Sequence, residues 1–124
     1  MAVPAELSNA VILKAIDCSN DGIVITVGNH SNRPIVYVNE AFCRLTGYSR
    51  EEALGKDCRF LQGAHTNQQT LREIREALTK GGSTRVRLLN YRKDGSTFWN
   101  ELSLSPVIDE QRNITHHIGV QKDI

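Results

Sequence analysis

The sequence predicts an α+β domain in which a five-stranded antiparallel sheet is covered on one face by helices. Two short β-branched runs precede a block of helical segments, and three longer strand-like runs follow that block. A helical block between two groups of strands favours an antiparallel α+β fold over alternating βαβ winding. The length of 124 residues suits a single domain with one hydrophobic core.

The N-terminal part of the chain predicts one helix followed by a β-hairpin. A helix is expected over 5–17, because apolar residues recur there near helical spacing, and the turn-forming run 17–22 ends it. The β-branched run 23–27 and the run 35–38 predict two strands joined by a long loop.

The middle of the chain predicts helices and the C-terminal part predicts strands. Asn39 and Ser49 are suited to cap two short helices, and one further turn is expected at 57–61. The clearest helix covers 67–80, because its apolar residues share one side and two glycines follow it. Three strands are expected at 85–92, 97–107 and 114–120, with turns at 94–95 and 109–113.

Composition argues against several classes of function. The net charge of +1 argues against a dedicated nucleic-acid surface. No apolar run approaches the roughly 20 residues of a membrane span, and the N-terminus lacks a signal-peptide pattern. Three cysteines without a CxxC pair favour a reducing, cytoplasmic environment. The chain ends after the last expected strand, so any effector activity is expected to lie outside it.

Three carboxamide side chains stand on the last three predicted strands or directly after them, at Asn90, Asn100 and Gln121. A three-residue hairpin loop at 94–96 would place Asn90 directly opposite Asn100, whereas a two-residue loop would place them on opposite faces. Carboxamides donate and accept hydrogen bonds, so such a row could bind the edge of a flavin ring. Spacing alone fits the plainer interpretation, exposed polar strand residues, at least as well.

The arginines and Cys58 are also open to two interpretations. Arg59 and Arg75 could lie at the edge of the core with their head groups in water, or could bind a phosphate together. A lone cysteine is typically a small buried apolar residue, and no local signature makes Cys58 a hydrolytic nucleophile. His116 and His117 are strand neighbours that should point to opposite faces, so no metal site is expected.

The segment Asp57-Cys58-Arg59-Phe60-Leu61-Gln62 resembles the signature hexapeptide of the light–oxygen–voltage (LOV) branch of the PAS superfamily, in particular its short bacterial members. Segments similar to the family's early helix, central hairpin and last strand stand in family order at 37–49, 89–100 and 118–121. The resemblance covers about residues 20–124 and implies a PAS fold, with 1–19 as an N-terminal flanking helix.

This resemblance implies that the chain binds flavin mononucleotide (FMN) and senses blue light by bonding Cys58 reversibly to the flavin, without enzymatic turnover. The implied contacts are Asn90 and Asn100 with the pyrimidine side of the ring, Gln121 with the reactive ring nitrogen and carbonyl as signal relay, Arg59 and Arg75 with the phosphate, Asp57 and Gln62 with the ribityl chain, and Val24, Thr26, Leu61, Leu78, Leu102, Leu104 and Gly119 as the lining. FMN is favoured over FAD because no insertion near Arg59 could shelter an adenine.

Two positions depart from the family pattern. Asp57 stands where the family more often has Asn, and His117 where it often has a bulky apolar residue, so both are expected to alter flavin affinity or adduct lifetime. Strand alternation predicts an apolar outer sheet face, covered by a second copy, a flanking helix or an effector; this outer face comprises Ile23, Ile25, Leu89, Ile118 and Val120. The alternative functions are a light-independent PAS module for ligand binding or interaction, and a thiol or flavin enzyme.

Overall fold

The computed structural model describes residues 7–28 and 33–124, and its elements follow the expected order. The helices are α1 (Asn9–Asp17), α2 (Glu40–Thr46), α3 (Arg50–Ala53), the short 3₁₀ helix η1 (Cys58–Leu61) and α4 (Gln68–Lys80). The strands are β1 (Gly22–Val27), β2 (Ile35–Val38), β3 (Thr84–Tyr91), β4 (Thr97–Ile108) and β5 (Ile114–Asp123). Over these ranges, no helix is long and apolar enough to cross a membrane.

The five strands form one antiparallel sheet in the order β2-β1-β5-β4-β3. The last strand therefore lies in the centre, between the first strand and the second hairpin. The helical block connects one edge strand, β2, to the other, β3, so the chain has to cross a face of the sheet. This arrangement confirms the predicted α+β fold with helices on one face.

Capping side chains set the helix boundaries. Helix α1 begins at Asn9, later than predicted, because the Ser8 hydroxyl accepts a hydrogen bond from the Val11 N–H at 3.3 Å. Residues 5 and 6 of the predicted helix lie outside the described residues. At the other end of the block, Asn67 accepts from the N–H groups of the first turn of α4, which begins at Gln68.

The β3–β4 hairpin differs from the prediction by two residues in register. Asn90 pairs with Phe98 and Asn100 pairs with Leu88, so the expectation that the two asparagines lie directly opposite one another is wrong. The Arg92 N–H donates to the Ser96 carbonyl at 2.7 Å, which makes the loop 93–95 instead of 94–96. Because side chains alternate with a period of two, the shift still leaves both asparagines on one face, as diagonal neighbours.

The last strand continues beyond the predicted end at residue 120. Gln121, Lys122 and Asp123 pair with Leu102, Glu101 and Asn100 of β4. The backbone groups of 121–123 are therefore satisfied by the neighbouring strand, although the apolar alternation stops earlier. This extension places Gln121 within the sheet.

The hydrophobic core lies between the first hairpin and the helical block. It comprises Val24, Ile35, Val38, Phe42, Ala53 and Leu61, with Val38 and Phe42 fully buried. Asn39 connects the layers: its Oδ1 accepts from the Ile23 N–H at 2.8 Å and from the Phe42 N–H at 3.0 Å. Its Nδ2 donates to the Ile16 carbonyl at 2.9 Å. One buried amide thus holds α1, β1 and α2 together.

Candidate functional site

A cavity of about 490 Å³ lies between the sheet and the helices. That volume falls within the roughly 300–1,000 Å³ of small-molecule sites. Strands β1, β3, β4 and β5 form one wall, and η1 and α4 form the other. The lining comprises Val24, Thr26, Arg33, Arg59, Leu61, Gln62, Gln68, Leu71, Ile74, Arg75, Leu78, Thr79, Leu88, Asn90, Leu102, Leu104, His117, Gly119 and Gln121.

The middle of the sheet wall is apolar and is closely packed around Gly119. A Cβ atom at this position would lie 2.9 Å from Val24 Cγ1, 3.3 Å from Leu104 Cδ2 and 3.4 Å from Leu102 Cδ1. Gly119 pairs with Val24 on one side and Leu104 on the other, so the close approach follows from the strand register. The absence of a side chain lets these three apolar side chains pack together, and a larger residue here would push them into the cavity.

One end of the sheet wall carries the three predicted amides. Asn90, Asn100 and Gln121 are almost completely buried. Asn100 Nδ2 donates to Asn90 Oδ1 at 2.9 Å, and Asn90 Nδ2 donates to the Leu61 carbonyl at 3.3 Å. Asn90 and Gln121 line the cavity, whereas Asn100 adjoins it through Asn90.

Two oxygens of this amide row have unmet hydrogen-bonding capacity. Asn100 Oδ1 and Gln121 Oε1 are buried and have no hydrogen-bond partner among the described residues. Leaving a buried acceptor unsatisfied costs about 1–3 kcal/mol. A ligand with N–H groups at this edge would remove that cost, which favours a binding role for the row over a purely structural one.

Arginines occupy another part of the lining. Arg59 is bound to Asp57 through Nε–Oδ1 at 2.9 Å and Nη2–Oδ2 at 2.6 Å. This hydrogen bond is the main reason that the pKa of Asp57 is lowered. Arg75 lines the cavity from α4, and Arg33 lines it from the segment before β2. These cations make the site suited to an anionic group.

His117 also faces the cavity, on the same side of β5 as Gly119 and Gln121, as alternation predicted. Only 3% of its surface is exposed, and neither ring nitrogen has a hydrogen-bond partner in the described ranges. Burial, and then the positive charge of Arg33, lower the pKa of its imidazole. The lowered pKa favours the neutral ring at physiological pH, in which one nitrogen donates and the other accepts a hydrogen bond.

The lowered pKa of His117 predicts a loss of stability on mild acidification. The unfolded chain takes up a proton near pH 6.5, whereas the folded state resists it, so the free energy of unfolding should fall as pH drops from about 7.5 to about 5.5. His117→Phe should lose less stability over that interval. Urea unfolding of both proteins in the same ligand state measures the difference, and equal losses would contradict the assignment.

Cys58 is the first residue of η1, directly after Asp57, whose side chain caps this helix by accepting from the Arg59 N–H at 2.8 Å. The side chain of Cys58 lies outside the described part of the structure. Its expected contact with a ligand therefore stays a prediction. Leu61 and Gln62, at the end of the same short helix, line the cavity.

Several lining residues were not predicted as site residues. Leu71 and Ile74 were expected on the buried side of their helix, and Leu88 on the inner face of the sheet, but none was assigned to a ligand. Gln68 and Thr79 lie at the two ends of the same helix, where periodicity gives a weak signal. Arg33 stands in a loop, and no spacing rule pointed to it. Within the described ranges, no group of three or more His, Cys, Asp or Glu could hold a metal.

Comparisons with known proteins agree on the fold and on one functional class. A model of the PAS domain family matches residues 20–124. A blue-light photoreceptor of Listeria monocytogenes is 43% identical over 114 residues, which cover 92% of this chain and 45% of the relative. Blue-light-activated histidine kinase 1 of Erythrobacter litoralis is 46% identical over 102 residues, covering 82% and 28%. The chain spans less than half the length of these relatives.

Solved structures lead to the same group. A LOV domain studied with a flavin analogue superimposes with a TM-score of 0.85 at 40% identity, covering 98% of this chain and 88% of that one. The light-state structure of the blue-light photoreceptor Aureochrome1 LOV gives a TM-score of 0.81 at 41% identity, covering 95% and 89%. An RNA-binding LOV receptor gives a TM-score of 0.91 at 37% identity, covering 98% and 34%.

Proposed function

The chain belongs to the light–oxygen–voltage branch of the PAS family, and we propose on this premise that it senses blue light by binding FMN and bonding Cys58 reversibly to it. The observation that carries the proposal is the cavity between the sheet and the helices, which combines a buried amide row, an apolar wall and arginines. Relatives of this chain are blue-light photoreceptors, which implies a flavin chromophore.

The amide row fits the polar edge of a flavin ring. The unpaired oxygens of Asn100 and Gln121 need hydrogen-bond donors, and the amide nitrogens can donate to carbonyl groups. A flavin ring edge alternates carbonyl acceptors with an N–H donor, so both requirements can be met together. The apolar wall formed by Val24, Leu102 and Leu104 around Gly119 offers a surface against which the apolar body of the ring can pack.

The arginines fit a terminal phosphate. Arg59 and Arg75 line the cavity from the two helical elements of its wall, and charge-assisted bonds from guanidinium groups are well suited to phosphate oxygens. Gln62, between them in sequence, lines the same cavity, which supports its proposed contact with the ribityl chain. FMN meets these contacts without an adenine, and the run after Arg59 contains no insertion to shelter one.

When bound, the flavin supplies absorption of blue light and an excited state that reacts with a nearby thiol. The chain supplies Cys58 at the beginning of η1, a helix whose start is held by the bonds between Asp57 and Arg59. Holding the thiol in position replaces a diffusional encounter by a local one. No diffusing substrate is consumed, so we propose a sensor without turnover whose output lies in a partner or effector.

Gln121 connects this chemistry to the opposite face of the sheet. A bond between the Cys58 sulfur and the ring would release the thiol proton to the nearby ring nitrogen, which would then donate instead of accept. An amide of Gln121 that had donated there would have to rotate in order to accept. Val120, the residue before Gln121, lies on the outer face, where Ile23 pairs with it. The outer-face residues Ile23, Ile25, Leu89, Ile118 and Val120 are only half-buried, which leaves this face able to contact a second copy, a flanking helix or an effector.

Gln121→Leu should therefore preserve the light reaction and reduce its transmission. We expect Cys58 to bond normally, while the light-dependent change in hydrogen exchange of β5, or in self-association, becomes smaller. Gln111→Leu makes the same substitution on the exposed turn before β5 and serves as control. If Gln121→Leu and the parent show the same light–dark difference, the relay role is wrong.

An absorption spectrum before and after blue light tests the proposed function. The purified protein should be yellow, lose the flavin absorption near blue wavelengths on illumination, and recover it in the dark. A colourless protein that takes up no added flavin would favour a light-independent PAS interaction module. A bound flavin that does not bleach would contradict the proposed reaction of the thiol but support the proposed cofactor.

A further inference from the structure

We infer that Arg33 is a third cationic contact for the phosphate of the bound ligand, where it offsets the negative charge of Asp57. The inference rests on the proposed function in one respect, namely that the ligand is a flavin phosphate. It assigns a binding role to a loop residue that neither periodicity nor the family signature identified.

The first observation is the position of Arg33. It lines the same cavity as Arg59 and Arg75, and its Nε is buried with no hydrogen-bond partner among the described residues. A guanidinium stays charged in proteins, so it cannot lower this cost by losing its proton. A phosphate oxygen in the cavity would supply the missing acceptor.

The second observation is the backbone that holds Arg33. Its φ of 39° lies in the left-handed region, which a residue with a side chain seldom adopts. The next residue, Pro34, pairs with Asp57 in an isolated β-bridge, and its carbonyl accepts from the Val27 N–H at 3.1 Å. These contacts hold the segment against the start of η1, and a strained residue held in this way is typical of a functional site.

The third observation is the local charge. Asp57 binds Arg59 through two side-chain hydrogen bonds, which neutralises one of the three arginines that line the cavity. Arg33 and Arg75 remain as an excess of positive charge, and the described lining contains no carboxylate. That excess matches a phosphate monoester, which carries about −1.5 to −2 at neutral pH.

The positive charge of Arg33 acts on two titratable neighbours. The β-bridge between Pro34 and Asp57 brings the segment that carries Arg33 to the start of η1. After the dominant hydrogen bond from Arg59, the charge of Arg33 contributes to lowering the pKa of Asp57, and after burial it contributes to lowering the pKa of His117. Arg33 is therefore placed to offset part of the negative charge that Asp57 adds beside Arg59.

The test is a set of charge variants titrated with FMN and with riboflavin, which lacks the phosphate. Arg33→Met should lower the FMN-to-riboflavin affinity ratio about tenfold or more, as expected for the loss of one charge-assisted contact. Asp57→Asn should raise the ratio, the double variant should return towards the parent value, and Arg33→Lys should keep most of it. Arg85→Met removes an exposed arginine of β3 that does not line the cavity and should leave the ratio unchanged.

A second measurement separates failure of this inference from failure of the proposed function. Inorganic phosphate should raise the melting temperature of the ligand-free protein, and Arg33→Met should reduce that shift whereas Arg85→Met should not. If neither flavin binds but the phosphate shift depends on Arg33, the flavin function fails and the anion site stands. If Arg33→Met changes neither the affinity ratio nor the phosphate shift, Arg33 is not a phosphate contact.

Discussion

Replacing Cys58 with alanine is expected to abolish light-induced bleaching completely while the flavin stays bound. The contacts proposed to hold the ligand come from the amides, the apolar wall and the arginines, and none of them requires this thiol. Without the thiol, the excited flavin has no nucleophile at its ring and returns to the ground state by emission. Absorption and fluorescence recorded during illumination measure both consequences, and the fluorescence of Cys58→Ala should persist.

Cys18→Ala is the matched control for this variant. Cys18 is exposed at the C-terminal end of α1, far in sequence from the signature, and its loss should leave bleaching and dark recovery unchanged. If Cys58→Ala bleaches and recovers like the parent, Cys58 is not the photoreactive residue. If it binds no flavin at all, the thiol contributes to ligand binding in addition to its reaction.

Replacing Arg59 and Arg75 together with glutamine is expected to weaken FMN far more than riboflavin. Each charge-assisted contact contributes about 1.5–3 kcal/mol, so removing two lowers the affinity ratio by about a hundredfold or more. The loss at Arg59 has a second component, because Asp57 then keeps its charge without its bonded partner. Parallel titrations of the ligand-free protein with the two flavins measure the ratio.

Two comparisons make this experiment specific. Arg72→Gln changes an exposed arginine of α4 that does not line the cavity, and it should affect both flavins equally little. Adding Asp57→Asn to the double variant should restore part of the FMN affinity, since it removes the unbalanced carboxylate. Equal losses for FMN and riboflavin in the double variant would mean that these arginines do not recognise phosphate.

Local patterns in the sequence predicted the element order and the fold class, and one of the two hairpin loops that they left open predicted the common face of the amide row. Each of these depends on short-range rules. Asn39 and Ser49 cap their helices as expected, and strand alternation places Gln121, Gly119 and His117 on one side of β5. The error in the hairpin loop moved the pairing of β3 and β4 by two residues, which left Asn90 and Asn100 on one face because alternation has a period of two. A shift by a single residue would have placed them on opposite faces.

Only the tertiary structure decided the register of the sheet and which residues line the cavity. The loop 93–95 closes where the Arg92 N–H donates to the Ser96 carbonyl, and β4 also pairs with β5 along its other edge. Arg33 reaches the cavity through the bridge between Pro34 and Asp57, two residues far apart in sequence. A loop has no periodic pattern from which the direction of a side chain can be predicted. The position of Arg33 beside Arg59 and Arg75 therefore depends on packing between segments that are distant in sequence.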